Sequence, residues 1–132
     1  NNFKKMIERD EFIEWAIVYG DYRGATKKEV ERVLKLGKHI LWKVDWKGVK
    51  TIKNKLPESV AIFIYPEAYE VLEKRLIGRE KGSPAVAKAR EQETRVWLKQ
   101  KKYYDYIVVN KEGKLNETIN KVIKIVQKES KS

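Results

Sequence analysis

The chain has 132 residues, 42% apolar and 11% aromatic, the size and make-up of one ordinary domain with its own core. It has no cysteine and one histidine, His39, which excludes disulfides, thiolate metal sites and His-cluster zinc chemistry. Thirty basic against 19 acidic residues give a net charge of +11, which favours anionic partners such as nucleotide phosphates, nucleic acid or a membrane surface.

No apolar run approaches the ~20 residues of a membrane span, and no signal-peptide pattern opens the chain. The lack of cysteine fits a reducing compartment, so a cytoplasmic location is expected. The first residues are Asn1-Asn2-Phe3, without an initiator methionine, so a fragment of a longer protein is one expectation.

In chain order, residues 2–11 read as a short helix with Phe3, Met6 and Ile7 on one side. Residues 14–19 (Glu-Trp-Ala-Ile-Val-Tyr) read as a strand, and 20–24 (Gly-Asp-Tyr-Arg-Gly) as turn chemistry. Thr26 followed by Glu29 is a capping box, opening a helix with Val30, Val33, Leu34 and Leu36 apolar and Gly37 to end it. Residues 39–45 read as a strand ending on Asp45, and 48–56 as a helix stopped by Pro57. Val60 to Tyr65 is a continuous apolar run that suits a strand buried on both faces, followed by a helix over 67–77. Charged residues 79–84 break the pattern before a long helix over about 85–102. A strand over 106–110 precedes a last helix with an apolar stripe at Leu115, Ile119, Val122, Ile123 and Val126. Apolar strands alternating with helices predict an α/β fold with a parallel sheet.

The residues offer few catalytic constellations. No glycine pattern continues to the Gly-Lys-Ser/Thr of a P-loop, and His39 alone supports no nucleophilic triad. Arg75, Arg79 and Arg90 bracket the charged break, as a phosphate-clamping lid would, although a solvated basic helix face explains the same spacing. Asp45 stands at the carboxyl end of an expected strand, where ligands of parallel sheets collect, but it is equally placed to cap the following helix. Lysines interleave with aromatics around Trp42 and Trp46 and again at 99–104. That pattern suits nucleic acid, yet most of those rings fall on expected core strands, which argues against such a partner.

Taken in register, these segments resemble the guanylate kinase family from its GMP-binding region to its C-terminus. The resemblance rests on residues 11–16 (Glu-Phe-Ile-Glu-Trp-Ala), 20–24, 44–49 (Val-Asp-Trp-Lys-Gly-Val), 62–64 before Pro66, 75–79 (Arg-Leu-Ile-Gly-Arg) and 105–110 (Asp-Tyr-Ile-Val-Val-Asn). It implies a parallel-sheet P-loop kinase-like fold lacking its first strand and P-loop, with a GMP-binding-like subdomain over 1–38. A partial core domain over 39–132 would carry a lid at about 75–92. The family reaction, ATP + GMP to ADP + GDP with Mg2+, makes GMP and ATP the implied partners.

By resemblance, Glu14 and Asp45 would accept hydrogen bonds from guanine, and Tyr22 and Arg23 would also bind GMP. Arg75, Arg79 and Arg90 would clamp phosphates, and Asn110 would lie near the adenine. The departures are Arg23 for a tyrosine that touches the GMP phosphate, Ala25 for a guanine-holding hydroxyl, and Lys43 for an acidic residue near the magnesium region. The chain alone is therefore expected to be inactive, with no metal ligands of its own. The alternative is a non-catalytic guanylate-kinase-like module binding a peptide, phosphorylated or not, at the former GMP site. The gap expected in the sheet, between the strand ending at Asp45 and the strand 60–65, would be closed by direct pairing or filled by another chain (a missing N-terminal segment or a second copy), or else leave the protein only marginally stable.

Overall fold

The computed structural model describes residues 2–79 and 84–130. The chain forms two compact units, Asn1–Ser59 and Val60–Ser132.

In the first unit, α1 (Asn2–Glu8) precedes an antiparallel hairpin of β1 (Phe12–Val18) and β2 (Asp21–Thr26). The hairpin turns through Tyr19 and Gly20, with φ of 51° and 85°. Positive φ at both central residues is what a two-residue turn of type I′ requires, and only its second position is glycine. The turn expected over 20–24 is therefore a strand from Asp21 onward. Gly24 pairs with Trp15, and a Cβ there would lie 2.7 Å from the Glu14 carbonyl oxygen and 2.9 Å from the Trp15 Cβ. Gly24→Ala should therefore lower the unfolding free energy by about 2 kcal/mol, the cost of overpacking against backbone, read from urea denaturation. An unchanged midpoint would show that the strands separate without cost.

α2 (Lys27–Lys35) starts where the capping box places it, with Thr26 Oγ1 accepting from the Glu29 N–H at 3.1 Å. Only half of the box forms, because the Glu29 carboxylate turns instead to Arg32 at 2.7 and 2.9 Å. Val30 from α2 joins Ile13 from β1 and Ile52 from α3 (Trp46–Lys55) in the core of this unit. Trp42, Val44 and Leu56 pack on that cluster, and the compact unit that holds it runs to Ser59.

Residues 39–45 are a correction to the expected sheet. They alternate as a strand does, Trp42 and Val44 half-buried and Leu41 92% exposed, yet they enter no ladder among the described residues. Period-2 patterning specifies an extended chain with one face inward, but a strand also needs a neighbour for its N–H and C=O groups. Among the described residues, the only ladder in this unit is the β1–β2 hairpin.

The second unit is built on a parallel pair, β3 (Ile62–Pro66) and β4 (Tyr106–Asn110), in register from Ile62↔Tyr106 to Pro66↔Asn110. Asp105 latches the amino ends: its carboxylate accepts from the Ala61 N–H at 2.7 Å, while the Asp105 and Tyr106 N–H groups donate to the Ala61 carbonyl. Phe63, 1% exposed, stacks on Trp97 of α5 (Pro84–Leu98), with centroids 5.7 Å apart, and touches Tyr65 and Tyr104. α4 (Tyr69–Arg79) packs on β3, and α6 (Leu115–Glu129) packs on β4, burying Val108. The apolar stripe of α6 is where periodicity put it, but Ile119 and Ile123 remain 45% and 46% exposed, because a two-stranded sheet is too narrow to cover it.

Candidate functional site

In the first unit, the hairpin pleat decides which side chains meet. The pairs Glu14↔Ala25 and Ala16↔Arg23 put Glu14 and Arg23 on one face, with Arg23 exposed. Tyr22 points to the opposite face, its ring 5.2 Å from Phe3 and 6.3 Å from Trp15, so the structure places it away from Glu14.

Asp45 does cap a helix. Its Oδ1 accepts from the Gly48 N–H at 2.9 Å, and the α3 N-terminus favours the negative charge. The cap also brings Asp45 toward Glu14, because both flank Gly48. A Cβ on Gly48 would lie 2.8 Å from the Val44 Cβ and 3.4 Å from Glu14 Oε1. Gly48 thus permits the close approach of Val44 and leaves the Glu14 carboxylate at ordinary contact distance, a role that its spacing three residues after the cap foreshadows only as a helix start.

Glu14 is the unusual group. It is 8% exposed, yet its carboxylate accepts no hydrogen bond from any described residue. Burial pushes its carboxyl pKa up, and the nearby Asp45 charge pushes the same way. Neither carboxylate oxygen is fully enclosed, so water can serve them in the free protein and the N–H groups of a ligand can take its place. The arrangement can take a ligand edge carrying two or more N–H groups, with Arg23 on the same face for an anion.

In the second unit, the parallel register places Pro66 and Asn110 side by side at the carboxyl ends of β3 and β4. A pocket of about 390 Å³ opens there, lined by Phe63, Tyr65, Leu72, Trp97, Arg75 and Asn110. Leu72 and Arg75 are three residues apart on α4 and so share its pocket-facing side. The Thr118 hydroxyl of α6 donates to Asn110 Oδ1 at 2.9 Å. The Trp97 indole N–H is buried without a partner among the described residues. Neither Thr118 nor Trp97 carries a motif that would have singled it out in the sequence.

The side chains of Arg79 and Arg90, and lid residues 80–83, lie outside the described residues. The lysine–aromatic interleaving is partly taken up internally: Lys47 sits over Trp46, Lys101 over Tyr65 at 4.2 Å and Lys102 over Tyr103. Among the described residues, no three or more His, Cys, Asp or Glu side chains gather as a metal site. No helix among them is long and apolar enough to cross a membrane.

A family model for guanylate kinase matches residues 1–129. The chain belongs to the guanylate kinase family. Guanylate kinase of Rickettsia prowazekii (strain Madrid E) is 34% identical over 124 residues, covering 94% of this chain and 62% of the relative. Guanylate kinase of Fusobacterium nucleatum is 38% identical over 125 residues, covering 95% of this chain and 66% of the relative. The crystal structure of guanylate kinase from Anaplasma phagocytophilum superposes with a TM-score of 0.77 at 26% identity, over 99% of this chain and 62% of that one. The α/β guanylate-kinase-like fold is therefore shown, and the chain spans about three-fifths of the length of such relatives.

Proposed function

We propose that Glu14 and Asp45 form a guanine site for GMP, and that this chain is the GMP-binding and lid-bearing portion of a guanylate kinase. The observation that carries this reading is Glu14, a residue only 8% exposed whose carboxylate takes no hydrogen bond from any described residue and still opens to solvent. Guanine offers N1–H and a 2-amino group along one edge, the donors that a carboxylate in this position lacks. Adenine offers no such pair of adjacent donors on the corresponding edge. Asp45 keeps one oxygen on the Gly48 N–H and has a second one available to the base. Arg23, on the same face as Glu14, supplies a cation for the GMP phosphate in place of the family's tyrosine.

The pocket with Arg75 and Asn110 is read as the ATP side, Arg75 facing phosphate and Asn110 the base. Arg79 and Arg90 are assigned to the same lid on resemblance alone. Magnesium would arrive held by the ATP phosphates, since this ion usually keeps substrate oxygens and water as ligands. These 132 residues contain no Gly-x-x-x-x-Gly-Lys-Ser/Thr, so we assign them binding without turnover.

Calorimetry with GMP and AMP tests the guanine site. GMP should bind at least about tenfold tighter than AMP, the worth of one or two charge-assisted hydrogen bonds. Equal binding of the two would sink the reading. Exposed Arg23, with no ion-pair partner among the described residues, also favours a second reading, a phosphorylated peptide in the same place. Displacement of GMP by a phosphopeptide, and not by its unphosphorylated form, would favour that alternative.

A further inference from the structure

We propose that Thr118 is a positioning residue that fixes which end of the Asn110 carboxamide faces the pocket. This rests on reading the pocket as a nucleotide site. Asn110 ends β4, where the ladder with Pro66 holds its backbone. Its side-chain amide is free to turn, because terminal carboxamide torsions have a broad, two-fold profile and the two ends are nearly equal in size. Thr118 removes that freedom. It is 6% exposed, stands in the first turn of α6, and its hydroxyl donates to Asn110 Oδ1 at 2.9 Å.

The same hydroxyl reaches the Lys114 carbonyl at 3.4 Å, but that oxygen already accepts the Thr118 N–H at 3.2 Å. One hydroxyl proton therefore has a good acceptor in Asn110 and a poor, shared one in Lys114. Turning the amide over would set Nδ2–H against Oγ1, which would then accept, and leave the hydroxyl proton only the poor acceptor at Lys114. With Oδ1 occupied, Asn110 presents Nδ2, which has no partner among the described residues. The pocket lining thus carries a fixed N–H donor from Asn110 together with the Arg75 cation. It selects a ligand with a hydrogen-bond acceptor on its base and an anion at its other end.

The test compares the wild-type chain with Thr118→Val, which keeps shape and removes the hydroxyl, Thr118→Ser, which restores it, Asn110→Ala and the Asn110→Ala/Thr118→Val pair. The probes are ATP in calorimetry and the Asn110 side-chain NH2 signals in nuclear magnetic resonance. Thr118→Val should move the Asn110 signals before any ligand is added, and Thr118→Ser should return them toward wild type. ATP affinity should fall about three- to tenfold in Thr118→Val, the range of one neutral hydrogen bond. In the Asn110→Ala background the same change should have no further effect, because Thr118 acts through Asn110. Asn110 signals that ignore the loss of the hydroxyl would overturn the proposal, as would equal, additive effects in both backgrounds. If ATP leaves the wild-type Asn110 signals unmoved, the nucleotide reading of the pocket fails. The response of those signals to Thr118→Val still decides the orientation.

Discussion

Mixed with ATP, GMP and magnesium, the 132-residue chain is expected to form GDP no faster than the mixture without protein. Phosphoryl transfer asks a protein for little covalent chemistry and for a great deal of positioning and charge neutralisation. In P-loop kinases, a cradle of backbone N–H groups and a lysine holds the β- and γ-phosphates, and removing single donors of that kind costs about a hundred- to a thousandfold. This chain has neither the glycine pattern nor its lysine, so several such contributions are missing together. Arg75 alone cannot replace them, because one guanidinium supplies charge without fixing the angle between nucleophile and leaving group. A coupled assay for ADP, run with the chain at high concentration, checks this. Magnesium-dependent turnover that disappears in Arg75→Ala would show that the chain assembles a phosphate cradle from other residues.

The elements that the sequence announced most firmly are those whose signals are local. α2 begins at Thr26 and α6 follows its apolar stripe because a cap and a 3.6-residue period act within one turn. β4 matches its expected bounds because Tyr106-Ile-Val-Val-Asn is short, apolar and latched at Asp105. Pairing is the part that is not local. Residues 39–45 have the alternation of a strand, and their side chains obey it, but what a strand pairs with lies elsewhere in the chain or beyond it. The hairpin was hidden for the opposite reason. Glycine-rich residues 20–24 look like a turn, whereas Gly24 is there for close approach to β1, and the tight turn sits at Tyr19 and Gly20.

The candidate site was legible by residue type and only partly by geometry. Family resemblance pointed to Glu14, Arg23 and Asp45, and the fold gathers Glu14 with Asp45 around Gly48 and puts Arg23 on the Glu14 face. The two readings of Asp45, ligand acceptor and helix cap, turn out to be compatible, since a carboxylate has two oxygens and the cap uses one. Tyr22 and Arg23 are adjacent in sequence, and a strand sends neighbours to opposite faces, so the hairpin itself turns Arg23 and not Tyr22 toward the Glu14 side. Thr118 and Trp97 had no signal at all. Their importance comes from tertiary neighbours, Asn110 for one and a buried, unpaired N–H for the other.

Glu14→Gln should stabilise the free protein at neutral pH and weaken GMP binding in the same variant. The folded state raises the Glu14 carboxyl pKa above 4.5, chiefly through burial and then through the Asp45 charge. Below that ordinary value, folded and unfolded chains both hold the proton, and the residue costs nothing. As pH rises past 4.5, the unfolded chain ionises first, so stability falls until the folded group also ionises and the penalty becomes constant. Glutamine mimics the protonated acid and has no such step. The variant should therefore match wild type near the acid end of this window and exceed it by about 1 kcal/mol at pH 7, the low end of the cost of an unsatisfied buried group. GMP needs the ionised form, so wild-type affinity should rise with pH through the same window. The glutamine amide would set its own N–H against the guanine donors, and affinity should fall by about tenfold or more. Chemical denaturation at several pH values and calorimetry with GMP read both effects. A variant less stable than wild type at pH 7 would mean that the Glu14 charge already has a partner in the free protein, and the reading of Glu14 as an acceptor awaiting guanine would fall with it.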